Sequence, residues 1–273
     1  MSALAWEDLL AILALPCLFG GSGLALAGLL AKKPGLGHRA RWCAGAGGYL
    51  LLLILVSRGL QVQGWPLTDL YEVLLLTAAA TALAGALGAP RRQEALAGAC
   101  AGLAAGLIVA LSLLLLPWGS RLPHPPMAAL GSIWFPLHVL ATTLGYGGLV
   151  LAGSAGLLRL LPPGRLPISS DDAEEVAWRG LAWGYPWLSL GMVLGMVWGW
   201  WAWGRPWSWS PKEVLTLLTW GLFTLAFHTR RLKGWRGWKH ALILVAGLAA
   251  LFSTLLLAGV LARQAVPVVE YVF

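Results

Sequence analysis

The strongest constraint on this chain is a series of eight apolar stretches of about 20 residues, each long enough at 1.5 Å rise per residue to cross a ~30 Å hydrocarbon layer. They cover residues 8–31, 42–61, 70–88, 95–117, 134–161, 180–200, 214–230 and 240–262. Inside lipid a single segment must satisfy its own backbone hydrogen bonds, so every stretch is expected to be helical. Composition agrees: only 11% of residues are charged and mean hydropathy is +0.75, against roughly a quarter charged in a soluble domain. The expected fold class is an all-α polytopic membrane protein with eight transmembrane helices, and a soluble globular domain is excluded.

The net charge of +8 is distributed along the short connections between stretches. That pattern is a topology signal rather than a nucleic-acid-binding face. Lys32, Lys33, Arg39, Arg41, Arg91, Arg92, Arg159, Arg165, Arg179, Arg230, Arg231, Lys233, Arg236 and Lys239 fall on one side, 14 of the 19 basic residues. The positive-inside rule makes that side cytoplasmic. Arg58, Arg121, Arg205, Lys212 and Arg263 fall on the other with both termini, so the expected topology is N-out and C-out. Met1–Leu10 has no positive n-region and carries Glu7 and Asp8, so the first stretch is expected to stay as a helix rather than be cleaved. No repeat of 20–50 residues is visible, and residues 1–273 read as a single membrane domain.

Cys17, Cys43 and Cys100 form no C-x-x-C and no paired spacing, which argues against thiol redox chemistry, structural zinc and a disulfide scaffold. The acidic run Ser169–Glu175 reads as a solvated linker, although Ser170 or Asp171 is able to cap a short helix there. Gly98, Gly102 and Gly106, and again Gly191, Gly195 and Gly199, recur every four residues and offer smooth faces for close helix approach.

Chemistry concentrates in the tryptophans. Of 17, six (Trp198, Trp200, Trp201, Trp203, Trp207 and Trp209) fall within twelve residues at the outer end of the sixth stretch. An interfacial aromatic belt needs one or two per helix end. Six, followed by Lys212 and Glu213, suit a flat aromatic platform with polar groups at its rim, placed in an external loop over 201–213. A large planar apolar ligand with anionic groups fits such a surface, and a porphyrin with two propionates has that shape. Two histidines lie in apolar stretches, His138 near the outer start of the fifth and His228 near the cytoplasmic end of the seventh. Intramembrane ionisable residues are functional candidates, and imidazole is a common axial ligand of haem iron. His124, among Pro123, Pro125 and Pro126, is either a ligand on stiff backbone or a loop residue, while His38 and His240 read as surface groups.

The string Trp203-Gly204-Arg205-Pro206-Trp207-Ser208-Trp209-Ser210-Pro211-Lys212-Glu213 resembles W-G-x-x-W-x-W-D-P-K-E, the tryptophan-rich signature of haem-handling membrane proteins of cytochrome c biogenesis. Leu218-Thr219-Trp220 and Phe227-His228-Thr229-Arg230 resemble its continuation in the CcsA (ResC) branch and HemX-like relatives, and Pro66-Leu67-Thr68-Asp69-Leu70-Tyr71-Glu72 resembles a P-[LV]-[ST]-N-L-Y-E segment of that branch. The resemblance implies that the tryptophan loop binds haem b, with His138 and His228 as its external and transmembrane ligands. Trp201, Trp203, Trp207 and Trp209 would then hold the macrocycle, and Arg205, Lys212, Arg58 or Arg121 would pair the propionates. It implies haem transport and presentation for attachment to apocytochrome c, beside a CcsB (ResB) partner, in a bacterial cytoplasmic membrane, as a component of a haem lyase complex. Two positions depart from the pattern: Ser210 stands where the family has Asp, and residues 241–273 hold no second external histidine, for which His124 is the stand-in. The alternative is a HemX-like haem-binding protein that regulates or chaperones haem synthesis. A secondary transporter would show inverted repeats and broken midplane helices, and neither is visible.

Overall fold

The computed structural model describes residues 3–116, 121, 123, 130–162 and 168–265. Within them lie eight α-helices: α1 (Ala3–Leu30), α2 (Pro34–Val62), α3 (Leu70–Gly88), α4 (Glu94–Leu115), α5 (Trp134–Leu160), α6 (Ser170–Trp203), α7 (Pro211–Lys233) and α8 (Trp238–Ala265). Seven of them are long and apolar enough to cross a membrane; α7 is the exception. Its lower apolarity comes from threonines whose hydroxyls are satisfied internally. Thr216, Thr219, Thr224 and Thr229 each donate to the carbonyl four residues back, which keeps their polar groups compatible with a water-poor surrounding.

Polar clusters show that successive connections alternate between two ends of the bundle. At one end Arg58 of α2 meets Glu7 of α1, Asp69 and Glu72 at the head of α3, and the carbonyl of Arg121. At the other, Glu94 at the head of α4 meets Arg41 and His38 of α2, Gln93 bonds Asp172 of α6, and Glu174 bonds Arg230 of α7 and the Gly237 N–H before α8.

Three local expectations need correction. The acidic run is not a solvated linker. Ser169 caps α6 by accepting from the Asp171 N–H, Asp171 and Asp172 occupy the first turn where the helix dipole favours negative charge, and Glu174 is buried. At its other end α6 runs on to Trp203, where Gly204 at φ +67° closes it, so the connection is 204–210 rather than 201–213. His240 is not a surface group: it is 1% exposed at the head of α8.

The glycine faces do allow close approach. A Cβ at Gly102 would sit 2.7 Å from the Leu18 carbonyl of α1, and one at Gly106 would meet Phe19. The tightest pair is α5 with α6, where a Cβ at Gly148 would lie 2.8 Å from the Gly180 carbonyl and one at Gly184 2.7 Å from the Gly145 carbonyl. Between α6 and α7 packing is uneven. Toward the Arg230 end the seam is filled by Trp178, Phe227 and Tyr185, with ring centroids 5.4 and 5.0 Å apart along the series. Two hydrogen bonds join it, from Trp220 Nε1 to Ser189 Oγ at 3.0 Å and from the Thr224 hydroxyl to the Tyr185 hydroxyl at 3.2 Å. Toward the Arg58 end the helices part.

Candidate functional site

The space where α6 and α7 part is a cavity of about 640 Å³, walled by α5, α6, α7, the head of α3 and two residues of α8, and roofed by the 204–210 connection. That volume lies within the ~300–1,000 Å³ range of small-molecule and cofactor sites. Its lining contains His138, Trp198, Trp203, Arg205, Trp207 and Lys212. Residues up to 74 positions apart in sequence are thus gathered on one space.

His138 is held by the smooth face of α6. Its Nδ1 lies 2.8 Å from the Gly191 carbonyl oxygen, and its ring edge rests where a Cβ on Gly195 would come within 2.8 Å. A carbonyl only accepts, so Nδ1 carries the proton and Nε2 carries the lone pair. This is the arrangement that orients a metal-binding imidazole and raises its basicity. Trp198 stacks parallel to the imidazole, 5° between planes and 6.2 Å between centroids, and Phe135 and Trp203 pack on Trp198 in turn.

The roof is organised by one carboxylate. Glu213 accepts from the Ser208 N–H and hydroxyl, both at 2.8 Å, and from the Ser210 N–H at 3.0 Å. Ser210 in return accepts from the Glu213 N–H, which with Pro211 in the first turn makes a full capping box on α7. Partial burial pushes the Glu213 carboxyl up, but the hydrogen bonds from Ser208 and Ser210 outweigh it and hold the group below the usual carboxylate range. Trp209, at φ +58°, adopts a backbone conformation uncommon for a bulky residue, fixed by the serines on either side of it. Asp69 and Glu72 form the same box at the head of α3, on the cavity's opposite wall. The Ser210 departure thereby has a physical reading, since serine and aspartate are near-equal N-caps.

Polar groups facing this space include several without partners. Among the described residues, Lys212 and Arg205 have no carboxylate within 4 Å, and Trp207 Nε1–H is buried with no acceptor. Other candidates lie elsewhere. Arg58 is fully buried, its donors taken by Glu72 at 2.8 Å, Glu7 and Asp69 at 3.1 Å, and the Arg121 carbonyl at 2.7 Å. Its structural commitment to three carboxylates leaves no donor for a propionate. Trp201 and Trp209 are turned outward, Trp209 being 71% exposed, and neither lines the cavity. His228 sits more than two turns below the cavity on an exposed face of α7, Nδ1 donating to the Thr224 carbonyl at 2.9 Å. His124 lies outside the described residues. Sequence reasoning passed over Met192, Met196 and Tyr146, which also line the cavity. The available signal was helical spacing backward from Trp203 through Gly199, Met196 and Met192 to Leu188.

A helical bundle apolar enough for a membrane, hollowed at one end by an aromatic-walled, imidazole-bearing cavity, defines an integral membrane protein with a ligand-sized site. A family model described as cytochrome C assembly protein matches residues 67–263, and the chain belongs to that family. It is 30% identical over 213 residues to the cytochrome c biogenesis protein CcsA of Chlamydomonas reinhardtii, covering 74% of this chain and 60% of that relative's length. It is 30% identical to CcsA of Trieres chinensis over 71% of this chain and 74% of the relative, and 28% identical to CcsA of Prochlorococcus marinus (strain MIT 9313) over 89% and 85%. Its fold is similar to that of a solved cytochrome c haem lyase CcmF, with TM-score 0.66 and 18% identity over 96% of this chain, and it spans about half (52%) of that chain.

Proposed function

We propose that this protein binds haem b in the α5–α6–α7 cavity and presents it at the outer membrane face for covalent attachment to apocytochrome c. The observation that carries the reading is the convergence, in one space, of a lone-pair-bearing imidazole, stacked indoles and two unpaired cations. These residues fit a planar macrocycle with two carboxylates. His138 Nε2 would hold the iron, Trp203 and Trp207 would flank the ring, and Arg205, Lys212 and the unpartnered Trp207 N–H would receive the propionates. Bound haem supplies the vinyl groups to which cytochrome thiols add. The chain's own residues orient it and exclude water, contributing proximity rather than a nucleophile or base.

The arginine-rich end faces the cytoplasm in this reading, giving eight spanning helices, N-out and C-out, in one domain of a bacterial cytoplasmic membrane, with residues 204–210 outside. His228, on the opposite half of α7, belongs to the route by which haem arrives rather than to the outer site. A CcsB/ResB-like protein is the partner and apocytochrome c the acceptor, the three forming the haem lyase complex. Similarity to relatives named for cytochrome c biogenesis favours this over a HemX-like role in haem synthesis. Co-expression with a CcsB-like partner and a reporter apocytochrome tests it. His138→Ala should abolish covalent haem attachment without loss of membrane-inserted protein, and undiminished holocytochrome yield would refute it.

A further inference from the structure

The cavity provides one imidazole, and no second histidine lines it among the described residues. Haem iron in a six-coordinate state needs a second axial donor. Resting on the haem reading above, the question is which other side chain on this wall can supply one.

Most lining groups with a lone pair are committed or in the wrong protonation state. Glu213 is engaged by three donors and Asp69 by Arg58 and the α3 cap. Lys212 as an ammonium has no lone pair, and the buried phenol of Tyr146 must lose a proton to bind iron. Met192 and Met196 have neither handicap: a thioether is neutral, unprotonated at every pH and free of competing hydrogen bonds.

Their position is specific. α6 turns Gly191 and Gly195 toward α5, where they receive the His138 ring. Tyr185 and Ser189 face α7, in contact with Phe227, Thr224 and Trp220. Met192 and Met196 continue that second stripe by three and seven residues from Ser189, so they lie directly above the aromatic seam, where α7 has drawn away. The two sulfurs therefore stand on the cavity wall next to the imidazole, facing the volume rather than packed into a neighbouring helix.

We propose that a thioether of this pair, Met192 or Met196, is the second axial ligand opposite His138, making the outer site a histidine–methionine centre. Thioether sulfur is a soft donor that favours ferrous iron, and Met/His ligation raises the reduction potential relative to two nitrogens. A site of this kind holds haem in the reduced state that thioether formation with vinyl groups requires, and its weaker sulfur bond opens readily when the cytochrome's own histidine arrives.

The test is optical and magnetic, on purified protein in a His228→Ala background so that only cavity haem contributes. The ferric form should be low spin with a far-red sulfur-to-iron charge-transfer band. Met192→Leu with Met196→Leu, a nearly volume-conserving pair, should erase that band and convert the iron to high spin while haem content stays, and the single variants identify the ligand. A low-spin spectrum that lacks the band, or one unchanged in the double variant, overturns the proposal in favour of a nitrogen donor. A high-spin parent spectrum also overturns it. Should His138→Ala leave the spectrum unaltered, the haem lies outside this cavity and the underlying reading fails instead.

Discussion

Gly195→Ala is the sharpest steric probe of how His138 is held. A Cβ built there lies 2.8 Å from both Cε1 and Nδ1 of the imidazole, whereas ordinary contact begins near 3.4 Å, so the ring must retreat by roughly 0.6 Å. Moving away from α6 by that amount stretches the 2.8 Å bond from Nδ1 to the Gly191 carbonyl toward 3.4 Å, beyond the usual ~2.7–3.2 Å range. Loss of one such bond costs about 1 kcal/mol, overpacking in a tight interface about 1–3 kcal/mol, and loss of the partner that orients a metal-binding histidine weakens metal affinity about 10–100-fold. Haem titration of the purified apoprotein, followed by absorbance, should show weakening of that order. Gly221→Ala is the control, because its Cβ would meet nothing within 4 Å. Affinity in Gly195→Ala within about twofold of the Gly221→Ala control would refute the claim that the Gly191–Gly195 face positions the ligand.

Three further outcomes are expected. Arg58→Met leaves Glu7, Asp69 and Glu72 gathered without their cation, and removal of one partner from a buried ion cluster should destabilise the bundle by about 3–5 kcal/mol in equilibrium unfolding; a change below about 1 kcal/mol would show the cluster to be solvated. Ser210→Ala should lose about 0.5–2 kcal/mol of α7 capping while Ser210→Asp keeps it, as read from thermal melts of the two proteins, and equal melts for both would deny Ser210 the cap. Trp207→Ala should lower haem occupancy and Trp209→Ala should not, since only the former lines the cavity.

The sequence made the helices legible because a bilayer leaves so few alternatives for a 20-residue apolar segment. His138, Trp203, Trp207, Arg205 and Lys212 were likewise readable, since residue type and order placed them near one end of the chain's helices. What a sequence does not carry is the azimuth of each side chain. Trp201 and Trp209 sit among the same tryptophans as Trp203 and Trp207 but turn outward, because α6 continues to Trp203 and the Glu213 hydrogen bonds set the turn around Trp209. Arg58 resembled a free outer cation until its three carboxylates, contributed by α1 and the head of α3, were seen to surround it. His240 lay among basic residues in sequence yet is covered at the α7–α8 corner, near Glu174 and Arg230. Met192 and Met196 carried no motif; only the divergence of α7 from α6 exposes them to the cavity.

The central claim is that the cavity holds haem through His138. The most direct measurement is the oxidised and reduced visible spectrum of the protein purified in detergent, recorded for the parent and for His138→Ala, each also in the His228→Ala background. A b-type spectrum in the parent that persists without His228 and disappears without His138 is the predicted result. A protein free of haem, or a spectrum that survives His138→Ala, would contradict it.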